Sequence, residues 1–166
     1  MKNKLSINLE VSLVEIILSV LIFAVAGVIM LNCFAYAKYT QEKANDKVAA
    51  SWLVQSDAEM IRSADTLDQA VLFLAKKYEK KAKDGSSDIY TNYYDKDWKP
   101  CSEEEQEYTL NTVISLDEKE YGEFMDIKIT AEKSKPYPFI DKGKLTSPVY
   151  SIETGKFFQT LESGRQ

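Results

Sequence analysis

Residues 16–37 read IILSVLIFAVAGVIMLNCFAYA, 22 consecutive positions without a formal charge. As an α-helix rising about 1.5 Å per residue, such a run covers a hydrocarbon core of about 30 Å, and a helix satisfies its own backbone groups where no water can. With 166 residues in all, one span leaves room for a single small domain. Lys2 and Lys4 precede the run and a mixed-charge region follows it. The positive-inside tendency therefore places the N-terminus in the cytoplasm and the C-terminal domain beyond the cytoplasmic membrane, as a single-pass protein. A secretory signal peptide shares this layout with a shorter apolar core of about 7–15 residues. Ala35-Tyr36-Ala37 is the corresponding cleavage candidate, and a mature chain starting at Lys38 would mark that alternative.

The net charge of −5 argues against direct contact with nucleic acid, whose phosphates attract a positive field. The chain has no histidine, no Gly-rich phosphate loop and no nucleophile beside an evident base, so neither an enzyme nor a cofactor is expected. Of the two cysteines, Cys33 lies in the apolar run and Cys101 in the outer region, which points to free thiols or an intermolecular bond.

Beyond Ala37 the helical pattern continues without proline or glycine to Ala64. Val48, Trp52, Leu53, Met60, Ile61 and Ala64 recur at helical spacing on one side, with Lys43, Asp46, Lys47 and Asp57 elsewhere, predicting one helix of about 50 residues with an amphipathic second half. Thr66 and Gln69 have capping-box spacing, and Leu67, Ala70, Val71, Leu74 and Tyr78 form an apolar stripe. A second helix is predicted there, ending at Asp84-Gly85-Ser86-Ser87, with Lys76, Lys77, Lys80, Lys81 and Lys83 in its last turns on a solvated face or against anionic lipid heads or a partner.

From Ile89 onward aromatic and β-branched residues alternate, and DIYTNYYDKDW, EYTLNTVISL, EFMDIKITAE and PVYSIETGKFF predict four antiparallel strands. Tyr108, Leu110, Ile114 and Leu116 on one, and Met125, Ile127, Ile129 and Ala131 on the next, offer a face to the amphipathic helix. KSKPYPFIDKGKLTS reads as a surface loop. The expected class is α+β: a basic leader at 1–10, a transmembrane helix at 11–37, its amphipathic continuation at 38–64, a second helix at 65–85, and an antiparallel sheet domain at 86–166.

Glu15 stands at the edge of the apolar run, where an unpaired carboxylate in lipid costs a few kcal/mol. Either it sits at headgroup level or it has a partner. The surrounding segment is a short basic leader, then Val11, Ser12, Leu13, Val14 and Glu15, then a span that continues as an amphipathic helix towards a sheet. It resembles the N-terminus of type IV pilins and of the pseudopilins of type II secretion systems. In that family a prepilin peptidase cuts after a leader glycine, and the mature chain opens with an apolar residue, Thr or Ser, two aliphatics and a glutamate. Val11, Ser12, Leu13, Val14 and Glu15 match those five positions, while Glu10 stands where the family has glycine.

The resemblance implies a pilin-like fold and a filament subunit of a pilus or of a secretion or DNA-uptake pseudopilus, with residues 13–37 in a helix bundle. It implies that Glu15 pairs with the N-terminal amine of a neighbouring subunit. It also implies, as partners, other pilin-like subunits, the inner-membrane assembly platform and its ATPase, and prepilin peptidase, with Glu10 opposing cleavage. With Val11 in place of the usual Phe or Met, a minor subunit fits better than a major one. The alternative is a plain membrane anchor carrying an outer domain that binds a ligand or senses an envelope signal.

Other features carry two readings each. Gly27 permits close helix contact or local loosening, or is simply a membrane glycine, and Asn32 is an interhelical donor or an interfacial residue. Asp84, Asp88, Asp95 and Asp97 suggest oxygen ligands for calcium, but Lys96 intrudes and no defined calcium loop fits. Tyr90, Tyr93, Tyr94 and Trp98 form either an exposed patch or, the stronger reading, part of the core.

Overall fold

The computed structural model describes residues 3–141 and 143–159, with side chains from Ser12 onward except Lys80. Two helices come first, α1 (Asn3–Ser63) and α2 (Leu67–Lys77), then five strands: β1 (Lys80–Asp84), β2 (Ser87–Tyr94), β3 (Tyr108–Lys119), β4 (Gly122–Lys133) and β5 (Ser147–Gln159). The strands form one antiparallel meander in chain order. The chain divides into two compact units, Met1–Gln41 and Glu42–Gln166.

The described residues of the first unit lie within α1, whose apolar run holds one glycine, Gly27, and no proline. In the second unit the remainder of α1 lies on the sheet and buries Ala50, Val54, Ala58 and Ile61. Ala70 and Leu74 of α2 join the same core, against Tyr90, Tyr108, Leu110, Ile114, Met125, Ile127 and Ile129. At the far end of α1, Lys156 Nζ donates to the carbonyls of Arg62 and Ala64, satisfying acceptors that a helix terminus leaves open.

The class is the expected α+β, and the predicted alternation of β4 is the observed one, with Met125, Ile127, Ile129, Ala131 and also Lys133 buried. Three expectations are corrected. First, the buried side of α1 carries Asp46, Ala50, Val54, Asp57, Ala58 and Ile61, whereas Val48, Trp52 and Met60 are exposed. Two aspartates turn inward because each finds a buried partner, and the helix rotates accordingly.

Second, α2 stops at Lys77 instead of reaching residue 85, and residues 80–84 form a fifth strand. Thr66 caps α2 as predicted, its Oγ1 accepting from Gln69 N at 3.3 Å. The stop comes from a tertiary contact: Asn92 donates to Lys77 O at 3.0 Å and accepts from Glu79 N at 2.9 Å, which turns the chain outward. Gly85, at φ +58, then makes the β1–β2 hairpin rather than a helix terminus. Lys81 and Lys83 consequently sit on a strand beside Asp88.

Third, Leu116 is exposed instead of joining the core face of β3, while Thr112, on the same face as Tyr108, Leu110 and Ile114, is buried. Thr112 is 0% exposed because its hydroxyl meets Tyr78 Oη at 2.6 Å.

Candidate functional site: the apolar half of the long helix and the polar ties of the sheet domain

Ser12, Leu13, Val14 and Glu15 occupy successive positions of α1, all exposed, so Ser12 and Glu15 share one helix face. Glu10 and Val11 lie in the helix, but their side chains are outside the described residues. Glu15 O accepts from Ser19 Oγ at 2.8 Å, a bond that shields a backbone carbonyl without using the Glu15 carboxylate. The large apolar side chains that follow stay open, Leu13 at 61%, Ile22 at 61%, Phe23 at 81% and Leu31 at 70%. The best 18-residue window has a mean hydropathy of 2.8, with none of it buried. This helix is long and apolar enough to cross a membrane.

The sheet domain is tied together by two buried polar clusters. In the first, Lys133, 5% exposed, closes β4 and reaches Glu42 and Glu107 at 2.8 Å and Asp46 at 3.5 Å. Its Nζ donates to Tyr108 Oη at 3.0 Å, and lies 4.7 and 4.9 Å from the ring centroids of Tyr108 and Tyr137. Burial opposes the charge on Lys133, but Glu107 and Glu42 outweigh it and hold the ammonium above the ordinary lysine range. Tyr137 donates to Asp46 Oδ2 at 2.5 Å, and burial together with that carboxylate keeps its phenol protonated far above the usual range. Asp141 accepts from Lys43 at 2.9 Å, Ser147 at 2.8 Å and Lys144 at 3.0 Å. The predicted surface loop is therefore fastened to α1 at both Tyr137 and Asp141.

The second cluster is centred on Asp57, 0% exposed, which accepts from Lys77 and from Tyr78 Oη at 2.5 Å. Tyr78 is pushed well above the usual phenol range by burial and then by the Asp57 charge. The cluster joins α1, the end of α2 and β3 through Thr112.

Sequence reasoning placed Asp46 and Asp57 off the core. The signal for the true face was the 4-4-3-4 spacing of Asp46, Ala50, Val54, Asp57 and Ile61, which becomes legible once two aspartates are allowed inside. Lys133 likewise continues the alternation of β4 by one more step.

Protein-family models, curated proteins and solved structures give no match to this chain.

The remaining candidates divide between the readings offered for them. Tyr90, Tyr93 and Tyr94 are buried, and Trp98 stacks on Tyr108 at 4.0 Å, so these aromatics are core. Asp95 accepts backbone bonds from Asp97 N at 2.8 Å and Lys99 N at 2.9 Å, which makes it a turn residue, and those bonds lower its pKa. Among the described residues no three acid or cysteine side chains gather as a metal site. Cys33 and Cys101 are free thiols, and burial with nearby acids pushes the Cys101 thiol up.

Lys43, Ser147 and Lys144 hold Asp141 well below the ordinary carboxylate range. A depressed folded pKa contributes stability that is present above the unfolded value near 4 and lost as pH falls below it. The chain is thus expected to lose stability progressively as pH falls below about 4. Denaturant midpoints across that range should fall less steeply for Asp141→Asn than for the wild type, since the variant lacks this titration.

Proposed function

We propose that this chain is a pilin-like subunit that assembles through its N-terminal helix into a surface filament or a secretion or DNA-uptake pseudopilus. The observation that carries the reading is α1: its first half presents apolar side chains that stay exposed among the described residues, while its second half is built into the sheet domain. A plain anchor needs the span alone. A subunit pulled out of a bilayer into a helix bundle also needs its domain fastened to the same helix, which the Lys133 and Asp57 clusters provide.

In this reading the N-terminus starts in the cytoplasm, Glu10 opposes cleavage by prepilin peptidase before Val11, and residues 13–37 exchange lipid for neighbouring helices. Glu15 pairs with the amine of a neighbour, so two charges that are costly in hydrocarbon become one pair. The sheet faces outward and sets partner choice. The inner-membrane platform and ATPase supply the force, and the chain itself performs no catalysis.

The test is recovery of the native protein in sheared filaments, with the intact mass read from the same fraction. A mass beginning at Val11 marks a processed subunit and a full-length mass one left uncut at Glu10, and in either case Glu15→Ala should lower recovery about tenfold or more while leaving the amount in the membrane unchanged. Equal recovery of the variant, or full function after an unrelated span replaces residues 13–37, would establish the plain-anchor alternative instead.

A further inference from the structure

The five-stranded sheet ends in two edges, β1 and β5, and the two are built in opposite ways. β1 has five residues, Lys80, Lys81, Ala82, Lys83 and Asp84, so shortness and charge deter further pairing there. The end of β3 that runs past β2 is guarded in the same manner by Asp117, Glu118 and Lys119. β5, with 13 residues, is blunted at its start by Pro148, which has no N–H, and by the bulge at Ala131 and Glu132 of its partner strand. From Tyr150 to Gln159 it pairs regularly with β4, and among the described residues no backbone bond from outside the sheet reaches it. The two charges in that stretch turn back on the domain. Glu153 pairs with Lys128 at 2.6 Å, and Lys156 Nζ donates to the carbonyls of Arg62 and Ala64.

The free side of residues 150–159 is thus without an uncommitted charge, about 34 Å long, and carries about five N–H and five C=O groups directed away from β4. Such a row is matched by another extended backbone, and an edge this long left unguarded beside two guarded ones indicates a use for it. We infer that the free edge of β5 is a strand-addition site, which takes an extended, uncharged segment of another polypeptide as a sixth strand. Backbone bonds would supply the affinity. α1 runs beside β5 on the core side, where Gln55 Nε2 donates to Tyr150 Oη at 3.4 Å. Alternate side chains of the added strand would therefore pass that flank of the helix, and the others would lie beside the exposed Ser151 and Phe157, which is where selectivity would arise. The inference concerns the sheet domain alone and depends neither on the membrane span nor on Glu15.

The experiment follows amide exchange along β5 by nuclear magnetic resonance of the full chain in detergent. The probe is a short, end-capped peptide of alternating threonine and valine, and its fully N-methylated form, which offers no donor, is the control. In the chain alone, amides of residues 150–159 on the free side should exchange rapidly and those paired with β4 slowly. Excess peptide is expected to slow the free-side amides about tenfold or more, while the N-methylated form leaves them unchanged. Ser151→Pro or Ile152→Pro, whichever of these adjacent amides is rapid in the free chain, removes one free-side donor without touching the β4 ladder and should abolish the slowing. Free-side amides that stay rapid in excess peptide overturn the inference. Free-side amides already slow in the chain alone overturn it as well, and dilution then separates a second copy, which it releases, from a segment of the same chain, which it does not.

Discussion

Lys133→Met is expected to destabilise the sheet domain by about 4 kcal/mol, since removing one partner from a buried ion cluster leaves charge without compensation. Among the described residues Lys133 is the cation that pairs with Asp46, at 3.5 Å, and Asp46 is itself 7% exposed. Glu42 and Glu107 are half-buried and can turn towards water, so the cost falls mainly on Asp46 and on the two tyrosine rings that lose their ammonium. Denaturant unfolding of the full chain in detergent measures the loss. Adding Asp46→Asn should restore about half of it, because the amide oxygen still accepts from Tyr137 and no buried charge remains. A loss below about 1 kcal/mol would mean that Lys133 acts as an ordinary surface ion pair.

Asp57→Ala should cost about 3 kcal/mol. The substitution removes two charge-assisted bonds and opens a small cavity where α1, α2 and β3 meet. The figure stays below that for Lys133 because Tyr78 keeps its bond to Thr112 and Lys77 is 30% exposed, free to find water. Asp57→Asn retains an acceptor for Tyr78 and is expected to recover about half of the loss. Hydrogen exchange supplies a second readout, with amides of residues 67–77 losing protection before those of β3 and β4, since α2 is held by this cluster while the central strands are held by the sheet. Uniform loss of protection across both would show instead that Asp57 supports the whole core equally.

The legible parts of this chain are those decided by neighbours in sequence. Thr66 and Gln69 make their cap within one turn, and Met125, Ile127, Ile129 and Ala131 alternate because a pleated strand forces them to. The 22-residue charge-free run is set by length and composition, and Ser12 to Glu15 by adjacency. The buried face of α1 was not legible, because apolarity favours Val48, Trp52 and Met60 as core, whereas the actual face includes Asp46 and Asp57. Nor was the end of α2, which a run of lysines would prolong. Asn92, fifteen residues away, ends it instead.

By itself, then, the sequence determined a helix long and apolar enough to cross a membrane, the amphipathic helix that continues it, the antiparallel sheet and the order of residues around Glu15, all of which rest on hydrophobic period, charge and local geometry. Tertiary structure alone decided which side of α1 faces the sheet, where α2 gives way to β1, and that the 134–146 loop is fastened at Tyr137 and Asp141 while Leu145 remains open. The physical reason is the same in each case. A buried charge or hydroxyl is tolerated only where a partner meets it, and the partners of Asp46, Asp57 and Asp141 include residues twenty or more positions away in the chain, Tyr137, Lys77 and Lys43 among them.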